Sequence, residues 1–350
     1  MPEPNTASAR QQSLFGFDET WLKGHREEIL EPELAIVDPH HHLWDRGSRY
    51  LLDEFLADVS SGHNIRASVF VQCDSMYRAD GDPDFAPVGE TEFVNGAAAM
   101  SASGAYGPAR ICAGIVGFAE LRLGERIDAV LEAHLRAAGD RFKGIRGRSV
   151  WDADPTIKGS SQDFPEGLLR DATFREGYAR LSRYGLSFDS WLFHPQIPEL
   201  AELAGKFPET PVILDHIGAP LAVGAYAGKR DAVFSNWRRD LTELARRANV
   251  FVKLGGLAMH LFGFDLAPAH RSTPASSEEL AAAWRPYIET CIEIFGVDRC
   301  MFESNFPVDK RGVSYAVLWN AFKRLAKGCS ADEKAALFRD TAARVYRLAV

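Results

Sequence analysis

Eight short apolar runs recur along this chain, each followed by a helical pattern, and that rhythm constrains the fold more than any other feature. The runs are 34–38 (LAIVD), 67–71 (ASVFV), 111–116 (ICAGIV), 143–147 (KGIRG), 186–192 (LSFDSWL), 211–215 (PVILD), 250–254 (VFVKL) and 299–303 (RCMFE). Runs of this kind read as buried parallel strands. Amphipathic segments lie between them at 91–102, 126–138, 168–184, 197–206, 236–248, 278–295 and 313–327, with a last one at 331–348. Eight strands with intervening helices predict an α/β fold, a single (β/α)₈ TIM barrel over residues 34–350. The two weakest runs are 143–147 and 111–116; with only six strands an open doubly wound sheet would be the alternative. Neither G-x-G-x-x-G nor G-x-x-x-x-G-K-[ST] follows any run, so nucleotide-binding folds lose support. Residues 1–33 read as an N-terminal extension, with 1–15 disordered and a short lead-in helix around Trp21 in 16–33.

Three long connections, 148–167, 217–236 and 256–279, each follow a strand. In a barrel such loops sit over the catalytic face. Their Gly, Pro and aromatic content predicts a substrate pocket and its cover. The net charge of -8 and the lack of any Lys/Arg-rich block argue against nucleic acid as a partner. Five cysteines, odd in number and without a C-x-x-C, fit free thiols in a reducing compartment. The polar start lacks a signal-peptide core, and no apolar run approaches the ~18 residues of a membrane span. A cytoplasmic protein without membrane contact is therefore expected. Homodimers are common among such barrels, but no interface is legible here.

The sharpest chemical signal is DPHHHLWD, residues 38–45, at the end of the first strand. His40 and His42 are two apart, so on a strand they project to one side. Two such imidazoles can share one metal ion or one bound water. Asp38 is expected one step further down that face, and His41 on the other. His216, in ILDHIG, ends the sixth strand; a packed or capped histidine is the bland alternative, and the recurrence of a histidine at a strand end weighs against it. His194, in LFHPQ, follows the fifth strand and is either a further ligand, a substrate contact or a hydrogen-bonded turn residue.

Glu303 and Asn305, in MFESNFP, share one face at the last strand. A carboxylate inside a barrel is costly unless paired or metal-bound. Glu303 is therefore either a functional acid or base, or the partner of an inward Arg or Lys. Arg146 and Arg148 alternate on the fourth strand. Guanidinium forks bind carboxylates bidentately, so these two imply an anionic small-molecule substrate unless one of them pairs with Glu303. Lys253 is a weaker candidate for the same role.

Taken together and in this order, DPHHHLWD, LDHIG and the Pro-containing last-strand motif resemble the amidohydrolase superfamily. More narrowly, the chain resembles the amidohydrolase-2 group of metal-dependent barrel hydrolases, over about residues 20–348. That group includes 2-pyrone-4,6-dicarboxylate lactonase, L-fuconolactonase-like enzymes and relatives of aminocarboxymuconate semialdehyde decarboxylase. The resemblance implies metal ligation by His40 and His42 on the first strand, by His216 on the sixth, and by His194 at or near the fifth-strand position. It also implies carboxylate-binding arginines at Arg146 and Arg148. The chain departs from the group at the last strand. Relatives usually read G-S-D-W-P there, whereas this chain has Glu303, Ser304, Asn305, Phe306 and Pro307. An asparagine takes no proton near neutral pH, so the base could be Glu303, His194 or His216.

The expected activity is hydrolysis of a carboxylate-bearing lactone or related cyclic ester, of interest for aromatic-compound catabolism. A divalent metal, Zn²⁺ or Mn²⁺, suits the imidazole-rich set and would activate water; the missing Asp leaves its retention open. Two rivals remain: non-oxidative decarboxylation of an aromatic or muconate-like acid, and a non-catalytic barrel that binds an acidic metabolite.

Overall fold

The computed structural model describes residues 16–159 and 164–350; residues 1–15, read above as disordered, lie outside them. All eight expected strands form. They are β1 (Ala35–His41), β2 (Asn64–Val71), β3 (Arg110–Gly117), β4 (Phe142–Arg148), β5 (Ser187–Trp191), β6 (Val212–Leu214), β7 (Val250–Leu254) and β8 (Cys300–Phe302). Each pairs in parallel with the next, so sheet order follows chain order. The seam between β8 and β1 is stitched by a bridge of His41 to Phe306. There Asn305 N–H donates to His40 O at 2.9 Å and His42 N–H to Phe306 O at 2.7 Å. The result is a nearly closed (β/α)₈ barrel. Its closure carries the first-strand histidines to the last-strand motif.

The weakest expectations, 111–116 and 143–147, are full strands. Other elements moved. The helix read at 236–248 spans Arg230–Leu244, because its buried stripe of Val233, Trp237, Leu241 and Leu244 begins within the segment read as loop. The segment 168–184 is a short helix, Ala172–Tyr178, between 3₁₀ turns. There Gly177 packs so close to the Leu121 carbonyl that a Cβ would lie 2.1 Å from it. The lead-in helix is a single turn, Glu19–Leu22, capped by Asp18. A small hairpin, Trp44–Arg46 with Ser48–Tyr50, follows β1 unannounced by the sequence.

Two apolar clusters hold the barrel. The larger lies between the sheet and the surrounding helices. The smaller is a plug inside the barrel: Val37, Val69, Val71, Val116, Ile213 and Met301, closed from below by Ala342, Val345 and Tyr346 of the C-terminal helix. The five cysteines form no disulfide. Among the described residues no helix is long and apolar enough to cross a membrane.

Candidate active site

Directly above the plug, the interior changes from apolar to charged. His40, Asp189, Asp215, Lys253 and Glu303 are all fully buried there. Glu303 on the β8 end bridges two imidazoles. Its Oε1 lies 2.6 Å from His216 Nδ1, and its Oε2 lies 2.9 Å from His40 Nδ1. The His40 ring stands 4.6 Å from that of His216 and 4.9 Å from that of His42. His42 Nδ1 bonds to the Val71 carbonyl at 2.7 Å. That contact places the His42 proton on Nδ1 and the lone pair on Nε2.

The backbone is shaped for this arrangement. His216 and Ile217 adopt left-handed φ of 53° and 52°, in a turn that swings His216 off the end of β6. Asn305 has φ 54°. After β7 come two glycines with no room for a side chain. A Cβ on Gly255 would sit 2.4 Å from Glu303 Cγ, and one on Gly256 would sit 2.5 Å from His216 Nδ1. The Gly-Gly step is the space into which the Glu303–His216 pair fits.

Burial lowers the His40 pKa to about 4, helped by the Lys253 ammonium and opposed by Glu303 and Asp215. Burial lowers His216 to about 3, against the pull of Asp215. Both rings are therefore neutral near pH 7. Lys253 donates to Asp189 Oδ2 (2.7 Å), Asp215 Oδ1 (3.0 Å) and His40 Nδ1 (3.1 Å). Burial works against its charge, but Asp189, Asp215 and Glu303 outweigh it and hold its pKa above the ordinary value. Burial also works against charge on Asp215; Lys253, His40 and Arg146 outweigh it and hold that carboxyl well below the usual range.

The remaining candidates fall elsewhere. Arg146 donates to Asp215 Oδ2 at 3.2 Å and to the Gln72 carbonyl at 3.1 Å. Arg148 forks onto Asp74 at 2.5 and 2.8 Å, with its guanidinium over the Phe118 and Phe164 rings. Neither arginine pairs with Glu303; each already faces an aspartate. Lys253 has all three N–H bonds committed below His40. His194 does not join the imidazole group. Its Nδ1 accepts the Leu221 N–H at 3.3 Å and its ring abuts Tyr226, the turn-residue alternative for this histidine. Asn305 donates to Asp309 Oδ1 at 2.9 Å.

Asp38 leaves the expected face altogether. A register shift in β1 between Asp38 and His41 turns it toward the outer helices, where it accepts from Tyr315 and from Ser304 N–H. His41 does point away from His40, stacked on Phe55 and bonded to Ser68. The sequence reading overlooked Asp189 and Asp215. Each is a carboxylate inside an apolar strand run, and the argument that singled out Glu303 applied equally to them.

Two of the long loops meet over the site. Tyr226 donates to Asp152 at 2.8 Å, and Ala225 N–H to Asp154 at 2.9 Å. Beneath them His42, His194 and His216 are only 3, 4 and 1% exposed. Among the described residues, His40, His216 and Glu303 form one group whose ligand atoms all lie within 4.8 Å of one another. His40 Nε2 and Glu303 Oε2 are buried without a hydrogen-bond partner among the described residues. Two orphaned donor atoms on an imidazole and a carboxylate fit a divalent ion of the Zn²⁺ or Mn²⁺ type.

The amidohydrolase family model matches residues 37–348. The uncharacterized protein y4mH of Sinorhizobium fredii is 33% identical over 339 residues, which is 90% of this chain and 99% of that protein. An L-fucono-1,5-lactonase of Burkholderia multivorans is 28% identical over 331 residues, 89% of this chain and 96% of the lactonase. The crystal structure of a Burkholderia multivorans amidohydrolase with bound zinc superposes with a TM-score of 0.68 at 26% identity. It covers 90% of this chain and all of that one.

Proposed function

Because this chain belongs to the amidohydrolase family, a family of enzymes, we propose that it is a lactone hydrolase. Water adds across the ring ester at the His40–His216–Glu303 cluster. The observation that carries this reading is the 2.6 Å contact of Glu303 Oε1 with His216 Nδ1. In a chain with Asn305 where relatives carry a water-activating Asp, that contact supplies another way to handle the proton. Glu303 accepts the Nδ1–H of a neutral His216, fixing the tautomer and leaving the lone pair on Nε2. A carboxylate that orients an imidazole in this way makes it a competent base and stabilises its charged form.

His40 and Glu303, through the orphaned Nε2 and Oε2, would hold a divalent ion, with His42 beside them and the His216 lone pair left free to take the proton. When bound, the ion would polarise the ester carbonyl and lower the pKa of the attacking water. The loops tied through Asp152–Tyr226 and Asp154–Ala225 exclude bulk water from the closed site.

A neutral, polyhydroxylated lactone is favoured over the anionic substrate expected from Arg146 and Arg148. Each of those guanidiniums is already matched by an aspartate, and one relative named above acts on a sugar lactone. The test is proton balance in weak buffer near neutral pH. The substrates are aldonolactones such as L-fucono-1,5-lactone, carboxylated lactones and aromatic acids. Acidification with the aldonolactones that disappears in His42→Ala is the expected result. Acidification by carboxylated lactones alone restores the anionic substrate. Uptake of protons with an aromatic acid indicates decarboxylation and sinks the lactonase reading, as does silence throughout.

A further inference from the structure

The buried network holds a cation that the proposed reaction does not use. Lys253 has three N–H bonds and three acceptors: Asp189, Asp215 and His40 Nδ1. Asp189 Oδ2, which accepts from Lys253, also accepts from the Tyr346 hydroxyl at 2.5 Å, and the Tyr346 ring lies 5.6 Å from the ammonium. An ammonium has no lone pair, so toward His40 it can only donate. A neutral imidazole that accepts at Nδ1 carries its single proton on Nε2. The alternative would give an Nδ1–H to Glu303 Oε2, 2.9 Å away. That contact is not aligned as a hydrogen bond, and Oε2 is left without a partner among the described residues.

We propose that Lys253 is the resident cation of this site and a positioning residue that acts through His40: it sets the His40 proton on Nε2, and it competes with a divalent metal for that imidazole. Tyr346 and Asp189 hold Lys253 in place. For a metal to be held at His40 Nε2, the ring proton has to move to Nδ1, toward Glu303 or Asp215, and Lys253 loses its acceptor. A metal there also sits one imidazole's width from a positive charge. Metal binding and the Lys253–His40 contact are thus linked with opposite sign. This rests on the reading of His40 Nε2 as a metal ligand, and not on which lactone is opened.

The first experiment titrates Zn²⁺ into the metal-free protein against a chromophoric chelator. Lys253→Met is expected to bind Zn²⁺ at least about tenfold more tightly than the unaltered protein. Equal or weaker binding overturns the proposal. Lys253→Met leaves Asp189 without its cation and Asp215 with Arg146 alone, and can fail to fold, so a second measurement uses the unaltered chain. In ¹⁵N-histidine NMR, with His40 assigned by the signal lost in His40→Asn, the metal-free protein should show the Nε2–H tautomer. Saturation with Zn²⁺ should convert it to Nδ1–H. An Nδ1–H tautomer already present without metal overturns the proposal. Neither readout involves turnover, so a protein that opens no lactone yet passes both loses the lactonase reading and keeps this one.

Discussion

On β6 and β8, two residues separate apolar packing from buried charge: Ile213 from Asp215, and Met301 from Glu303. Below that line the barrel interior is a plug of Val37, Val69, Val116, Ile213 and Met301. Above it, at the ends of β1, β6 and β8, stand His40, Asp215 and Glu303, and beside Ile213 and Met301 in register stand Asp189 of β5 and Lys253 of β7, all equally buried. The plug is stabilised by removal of apolar area from water, at roughly 25 cal/mol per Å². The charged layer has no such source. A buried ion network is at best neutral for stability against apolar residues of the same volume. Its retention therefore points to chemistry, and the two layers should respond to substitution in opposite ways.

The largest effect expected is on turnover in the upper layer. Glu303→Gln keeps the volume between Gly255 and His216 but replaces the carboxylate that orients the ring. By analogy with other carboxylate–imidazole pairs, kcat should fall by about 10³-fold. The unfolding free energy should change by less than it does for a truncation in the plug. Steady-state kinetics and urea unfolding on the same preparation check both halves. A variant that keeps its turnover removes Glu303 from the mechanism.

The mirror experiment is Ile213→Ala, two residues before Asp215. Truncating a fully buried isoleucine costs about 3 kcal/mol, through lost transfer energy and the cavity left behind. At a temperature where the variant is folded, kcat/KM should stay within about threefold of the parent. Loss of activity in a demonstrably folded Ile213→Ala would mean that the plug positions the site, and the division into two layers would fail.

The same boundary explains what was legible in the sequence. Strands, plug and helix faces obey local periodicity, so even the weak runs at 111–116 and 143–147 could be read. The H-x-H pair and the last-strand Glu303 stood out as residue types that do not belong in a strand without a reason. Their partners did not stand out. Arg146 finds Asp215 and Arg148 finds Asp74 across about seventy residues of chain, and no spacing rule connects such positions. Asp38 was placed on the wrong face because period two assumes an unbroken strand, and β1 shifts register between Asp38 and His41. Tyr346 reaches Asp189 only because the C-terminal helix closes the bottom of the barrel, which is a property of the whole fold. The closure of β8 onto β1, which assembles His40, His216 and Glu303, is likewise invisible until the barrel is built.

The smallest effect tests the acid behind Asn305. Asp309 accepts from Asn305 Nδ2 at 2.9 Å and from Ala258 N–H at 3.1 Å. Burial nonetheless lifts its pKa to about 8, against those two hydrogen bonds. In the unfolded chain an aspartate titrates near 4. Between about pH 4 and pH 8 the folded protein therefore keeps a proton that the unfolded chain releases, and stability declines as pH rises through that window. Asp309→Asn cannot lose that proton. Its stability relative to the parent should accordingly rise from about pH 5 to about pH 8, measured as the difference in urea midpoints. A difference that stays flat or falls would mean that Asp309 is ionised in the folded protein. A full negative charge would then stand one hydrogen bond from Asn305, and the upper layer would extend through it to Asp309.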